Sequence, residues 1–164
     1  MKSRLPRLPW LAALAAVLQF APWYAAAAQP PPDSAVILIY HRVADEGPAR
    51  TRVTPATFAA HLDYLAHHHF HVVPLSGLLQ DLDHGRPLPP DTVALTFDDA
   101  YASVYTAAYP LLRRRGWPFT VFVATDYIDR GYKAYATWAQ LREMAAHGAE
   151  LGDHSRSHAH LVRR

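Results

Sequence analysis

The sequence predicts an α/β fold built on a parallel sheet or barrel, and three observations carry that prediction. Ala35-Val36-Ile37-Leu38-Ile39-Tyr40, Thr92-Val93-Ala94-Leu95-Thr96-Phe97 and Phe119-Thr120-Val121-Phe122-Val123 are continuous apolar, β-rich runs, the pattern of strands covered on both faces. Segments with helical spacing of apolar residues separate them. Strands alternating with helices pack as a parallel sheet with helices outside it.

The elements follow in order. Ala35 to Tyr40 is the first strand. Thr54 is an N-cap with Pro55 at the first helical position, and Phe58, Leu62 and Leu65 recur on one face, so a helix is expected from about Pro55 to His68. His71 to Pro74 reads as a short strand, and Ser76 as the cap of a small helix carrying Leu78, Leu79 and Leu82. Arg86-Pro87-Leu88-Pro89-Pro90 is a loop into the Thr92 to Phe97 strand. A helix from about Ala100 to Arg115 follows, kinked at Pro110 and ended by Gly116. After the Phe119 to Val123 strand, Thr137-Trp138-Ala139-Gln140 has the form of a capping box that opens a helix closed by Gly148, and Ala149 to Gly152 is a last strand.

Residues 1 to 28 are set apart from this domain. Lys2, Arg4 and Arg7 precede an apolar stretch from Leu8 that ends in Ala26-Ala27-Ala28, the order of a cleavable secretory signal. An uncleaved anchor is the competing reading, since ~20 apolar residues span a bilayer. Pro9, Gln19 and Pro22 interrupt the run and favour cleavage, so no stable membrane anchor is expected in a secreted or periplasmic product. Gln29 to Ser34, with three prolines, is a stiff linker. The domain then runs from 35 to 164.

Cleavage after Ala28 removes three basic residues and no acidic ones, taking the formal charge from +2 to −1. A domain of that charge gives no support for nucleic-acid binding, which needs a basic stripe on the folded surface, and no nucleic-acid partner is expected. The chain has no cysteine, so it uses neither disulfides nor thiolate-bound zinc. What remains of 164 residues suffices for one core but is short for a complete β/α barrel of typically ~250. With Leu161 to Arg164 following the last motif directly, a C-terminally truncated fragment is expected.

The chemistry lies at two strand ends. Asp98 and Asp99 follow Phe97, and Asp153-His154-Ser155-Arg156-Ser157-His158 follows the last strand. Neighbouring parallel strands bring their C-terminal ends to one rim, where β/α barrels keep their active residues. A carboxylate leaving so apolar a strand needs a cation beside it. One Asp with two His is a ligand set for a divalent metal, and the second Asp is then free to act as a base. Asp153 is a candidate hydrogen-bond partner for a ligand imidazole. His41 ends the first strand and so can line the same pocket; Tyr101, Tyr127, Tyr132, Tyr135 and Trp138 are candidates for stacking on sugar faces. His67 to His71 reads as a solvated helix end rather than a second metal site.

Thr96-Phe97-Asp98-Asp99-Ala100-Tyr101 resembles the first motif of the polysaccharide deacetylases (the NodB-homology domain, carbohydrate esterase family 4), and His154-Ser155-Arg156-Ser157-His158 resembles the second. Tyr40-His41-Arg42-Val43 and Pro118 to Val123 are similar to the branch that includes exported deacetylases of poly-β-1,6-N-acetylglucosamine. The resemblance covers most of residues 35 to 161. It implies a distorted (β/α) barrel, incomplete here, with Asp98 as catalytic base and Asp99, His154 and His158 as ligands of one divalent ion, Zn²⁺ first, with Co²⁺ or Ni²⁺ as alternatives. His41, Tyr101 and Trp138 are the expected substrate-binding residues.

The implied activity is hydrolysis of N-acetyl groups from an N-acetylglucosamine polymer of cell wall or biofilm. Two departures stand out. Ala100 occupies a position where the family has Gly, and the family's later motifs, an Arg-containing segment and a distal His acting as general acid, have no counterpart in the chain. They motivate the alternative of a catalytically inactive glycan-binding scaffold. An O-acetyl esterase on xylan-type polymers is the other alternative, because the same site can attack an ester. A metalloprotease is disfavoured, since the His pair lacks the Glu of a His-Glu-x-x-His helix. Oligomeric state is not readable from the chain.

Overall fold

The computed structural model describes residues 34–160 and 162. The signal expected at 1–28 and nearly all of the linker lie outside them. Among the described residues no helix is long and apolar enough to cross a membrane.

Strand β5 (Thr92–Phe97) is the centre of the sheet, and each of its six residues is buried. Both of its faces are covered, and its two buried hydroxyls are satisfied, Thr92 donating to the Pro89 carbonyl and Thr96 to the Leu38 carbonyl. Strand β1 (Ala35–Tyr40) pairs with it in parallel from Ala35↔Thr92 to Tyr40↔Phe97. On the other side, β4 (His71–Val72) meets its beginning and β6 (Phe119–Val123) its end. Strand β7 (Ala149–Asp153) pairs with β6 in parallel, giving the order β1-β5-β6-β7. The sheet is an open arc of a β/α barrel. Its two edges, β1 and β7, leave Val36, Ile37, Ile39 and Leu151 exposed.

The helices form where local chemistry starts them. Thr54 caps α1 (Pro55–His67), its hydroxyl accepting the Thr57 N–H at 3.0 Å, and Phe58, Leu62 and Leu65 are its buried stripe. Thr137 and Gln140 make the reciprocal capping box of α5 (Trp138–Ala145). The core is aromatic at its centre, with Phe97 in contact with Tyr40, Phe58 and Phe119 at centroid distances of 5.5 to 5.8 Å.

Several local expectations are corrected. The helix after β5 is not one rod: a π-helical turn, Val104–Ala108, precedes α3 (Tyr109–Arg115). The Tyr109 N–H reaches the Val104 carbonyl five residues back, which places Pro110 in the first turn of α3, where its missing N–H costs nothing. Helix α2 (Leu75–Asp83) has Pro74, not Ser76, at its N-cap, and Ser76 instead donates to Glu150. Helix α5 stops at Ala145, before Gly148. The two-residue parallel strands β2 (Arg42–Val43) and β3 (Arg52–Val53), the 3₁₀ turn Ala49–Thr51 between them and helix α4 (Thr125–Asp129) have no counterpart among the elements expected from sequence.

Candidate active site

The register of β1 against β5 sets the first half of the site. Tyr40 lies beside Phe97, and the Asp98 N–H continues the ladder to the Tyr40 carbonyl at 2.8 Å. The next residue on β1's side is His41, whose Nε2 is 3.9 Å from Asp98 Oδ2, with both side chains partly exposed. Beyond Asp98 the chain turns through two left-handed residues, Asp99 at φ 70° and Ala100 at φ 55°. The turn buries Asp99 to 7% exposure.

The second half comes from β7. The His154 N–H donates to the Val123 carbonyl at 3.2 Å, extending the β6–β7 pairing by one residue. The loop then bends through left-handed Ser155 and His158 and is pinned to the start of α4 by the Asp126 N–H, 2.8 Å from the Arg156 carbonyl. Both imidazoles converge on one oxygen. His154 Nε2 is 3.3 Å and His158 Nε2 3.2 Å from Asp99 Oδ1.

These residues fit a divalent cation. Asp99 Oδ1 is buried and has no hydrogen-bond partner, a costly state for a carboxylate oxygen unless a cation meets it. One donor atom from each of Asp99, His154 and His158 lies within 4.8 Å of the others. A tetrahedral ion with bonds of about 2.0–2.1 Å spaces its donors about 3.3 Å apart, which matches the two carboxylate–imidazole separations. The set of one carboxylate oxygen and two imidazoles suits zinc and its neighbours in the first transition row.

The remaining expected residues are placed differently. Tyr101 is close to the motif, but its ring faces are engaged by Arg42, 4.0 Å from its centroid, and by Tyr135, stacked at 4.9 Å. Burial, followed by Tyr101 and the charge of Asp99, pushes the Tyr135 phenol well above its ordinary range. Trp138 opens α5 and directs its indole N–H to Asp129 at 2.8 Å, away from the Asp–His cluster. Asp153 is exposed and makes no hydrogen bond with either imidazole. The His67 to His71 run gathers no third ligand among the described residues.

His41, expected to line the pocket because it ends the first strand, lies beside Asp98. Its signal was available: if Tyr40 and Phe97 end adjacent strands, the residues that follow them, His41 and Asp98, are neighbours. Asp126, which holds the ligand loop, left no such signal because α4 was not anticipated.

The comparisons agree with this geometry. Residues 85–164 match the family model described as Polysaccharide deacetylase. The chain is 27% identical to the Streptococcus pyogenes deacetylase PplD, solved in complex with acetate, with a TM-score of 0.73 over 81% of this chain and 61% of that one. It is 34% identical to IcaB from Ammonifex degensii, with a TM-score of 0.68 over 76% of this chain and 54% of that one. It is 30% identical over 148 residues to the poly-β-1,6-N-acetyl-D-glucosamine N-deacetylase of Escherichia coli K12, covering 79% of this chain and 22% of that protein. The chain thus spans less than half the length of the curated relatives it matches. Its parallel sheet, its paired strand-end motifs and these matches agree: residues 85–164 of the chain belong to the polysaccharide deacetylase family.

Proposed function

We propose that this domain removes N-acetyl groups from an N-acetylglucosamine-containing polysaccharide, with Asp99, His154 and His158 holding one divalent ion, Zn²⁺ first. The observation that carries the reading is the orphaned Oδ1 of Asp99 facing two imidazoles, with Asp98 left free beside it. Bound there, such an ion supplies Lewis-acid polarisation of the acyl oxygen and acidifies a water. The rest of the reaction falls to side chains. Asp98 takes a proton from the water that attacks the amide carbon. As the C–N bond breaks, the leaving nitrogen must gain a proton, and His41, whose Nε2 is 3.9 Å from Asp98 Oδ2, is the candidate donor in this reading. The acetic acid formed passes its proton to the amine, leaving acetate and an ammonium group, and return of the Asp98 proton to His41 through solvent restores both residues.

The names of the relatives support the substrate class, since the E. coli protein is an N-deacetylase of poly-β-1,6-N-acetyl-D-glucosamine. Export to the cell surface or periplasm is the matching location, supported by the basic and apolar order of residues 1–28. The inactive-scaffold reading loses one motive. Ala100 is fully buried in the core, so its methyl does not narrow the pocket.

Acetate release from N-acetylglucosamine oligomers tests the reading. Asp98→Asn in the natural full-length protein is expected to lower release by about 10²–10⁴-fold while zinc remains bound. Release unchanged in that variant would refute the assignment of the base. Faster release from acetylated xylan than from the amide substrate would move the reading to an esterase.

A further inference from the structure

Asp99 and Ala100 are consecutive non-glycine residues at φ 70° and 55°. Side chains disfavour that region, and it persists only where surrounding contacts dictate it. Two backbone bonds contribute. The Ala136 N–H reaches the Ala100 carbonyl at 2.8 Å, and the Ala102 N–H reaches Ala134 at 2.9 Å. Both fasten the turn to the 134–136 segment rather than to the sheet.

The residue that follows supplies the rest. Tyr101 stacks on Tyr135 with an interplanar angle of 22°, and Tyr135 stacks in turn on Tyr127 of α4 at 4.6 Å. Against Tyr101 lies the Arg42 guanidinium. Among the described residues no carboxylate pairs with Arg42, so its charge is met by the ring. Arg42 passes close to Gly47, which sits at φ 119° and where a Cβ would stand 3.2 Å from Nη1. A column of groups therefore runs from Arg42 of β2, through Tyr101 and Tyr135, to Tyr127 of α4.

We infer that Arg42, Tyr101 and Tyr135 act as positioning residues, fixing the backbone of Asp99 so that its Oδ1 faces His154 and His158. This inference rests on the reading of those three side chains as a cation site. It also reassigns Tyr101 from sugar stacking to support of the site, because its ring faces are already engaged. An arginine is expected to serve better than a lysine, since a planar guanidinium can stack on a ring as well as meet it with charge.

The test is zinc titration of the metal-free full chain by calorimetry, with the visible absorption of bound Co²⁺ as a report on ligand geometry and thermal melting of the metal-free form as a report on folding. Tyr101→Phe keeps the stack and is expected to bind zinc within about twofold of wild type. Tyr101→Leu and Arg42→Ala are expected to weaken zinc by roughly tenfold and alter the Co²⁺ bands, the effect of losing a group that orients a ligand. Arg42→Lys is expected to side with Arg42→Ala. Should Tyr101→Leu fail to fold, Arg42→Ala, at a partly exposed position, carries the test alone. Wild-type affinity and Co²⁺ bands in Arg42→Ala overturn the inference and leave the metal reading standing. No zinc binding by the wild type overturns both.

Discussion

Ala100 is the point where a methyl group and a left-handed backbone compete. For an L-residue that region costs about 1–2 kcal/mol. Against this, glycine loses about 0.5–1 kcal/mol more than alanine in chain entropy on folding, and a buried methyl is worth about 0.8 kcal/mol. The Ala100 methyl is wholly buried within the core cluster, so the opposing effects nearly cancel. Ala100→Gly is therefore expected to change stability by less than ~1 kcal/mol and to leave zinc affinity and acetate release within a few-fold of wild type. Denaturant unfolding and a zinc titration on the same preparation check it. A tenfold change in either affinity or turnover would mean that the methyl does reach the pocket. The same arithmetic explains how a chain can depart from glycine here without abandoning the turn that buries Asp99.

Strands β6 and β7 show how an element can depend on what one residue lacks. Gly152 lies opposite Phe122 in the ladder, and a Cβ there would come within 2.5 Å of the Phe122 ring. The ring thus occupies the space that a side chain on β7 would fill. Gly152→Ala must displace it, at about 1–3 kcal/mol, and because Phe122 is only partly buried the lower end is expected. On a Phe122→Ala background the same substitution should cost almost nothing, and the double-mutant cycle isolates this coupling. Equal costs on both backgrounds would show that the clash is not the cause. At this scale the sequence was legible where periodicity and capping chemistry act locally. Thr54 and Pro55 located α1, Thr137 and Gln140 located α5, and the apolar runs located β1, β5 and β6. It was silent where the determinant is tertiary. Two-residue strands such as β2 and β3 have no period to read, and the π turn answers to Pro110 only through the packing of Val104 and Ala108. For the site, the Asp and His pairs were plain from motif spacing. His41 was legible from its place at the end of the first strand, whereas the Arg42–Tyr101 contact needed coordinates.

Across the whole molecule, the first and last thirds of the domain are tied by one carboxylate. Glu150 on β7 accepts the Ser76 hydroxyl and, at 3.1 Å, the Ser76 N–H, and it also accepts the Thr120 hydroxyl of β6 at 3.0 Å. It satisfies a free N–H in the first turn of α2, which Pro74 cannot cap with a side chain, and it places negative charge at that helix's positive end. Burial alone would raise the Glu150 carboxyl, but the bonds from Ser76, Thr120 and the Leu75 backbone outweigh it and hold the group below the ordinary glutamate range. A carboxyl lowered by folding stabilises the folded state above its unfolded pKa of about 4.3, and that stabilisation disappears as pH falls through the lower, folded value. The wild type should therefore lose thermal stability between about pH 5 and 3 more steeply than Glu150→Gln, with the gap between them widest near neutrality and closing in acid. Melting curves of both chains, free of metal so that the histidine site does not contribute, make the comparison. Parallel decline of the two Tm profiles would show that Glu150 is not what joins α2 to the far edge of the sheet.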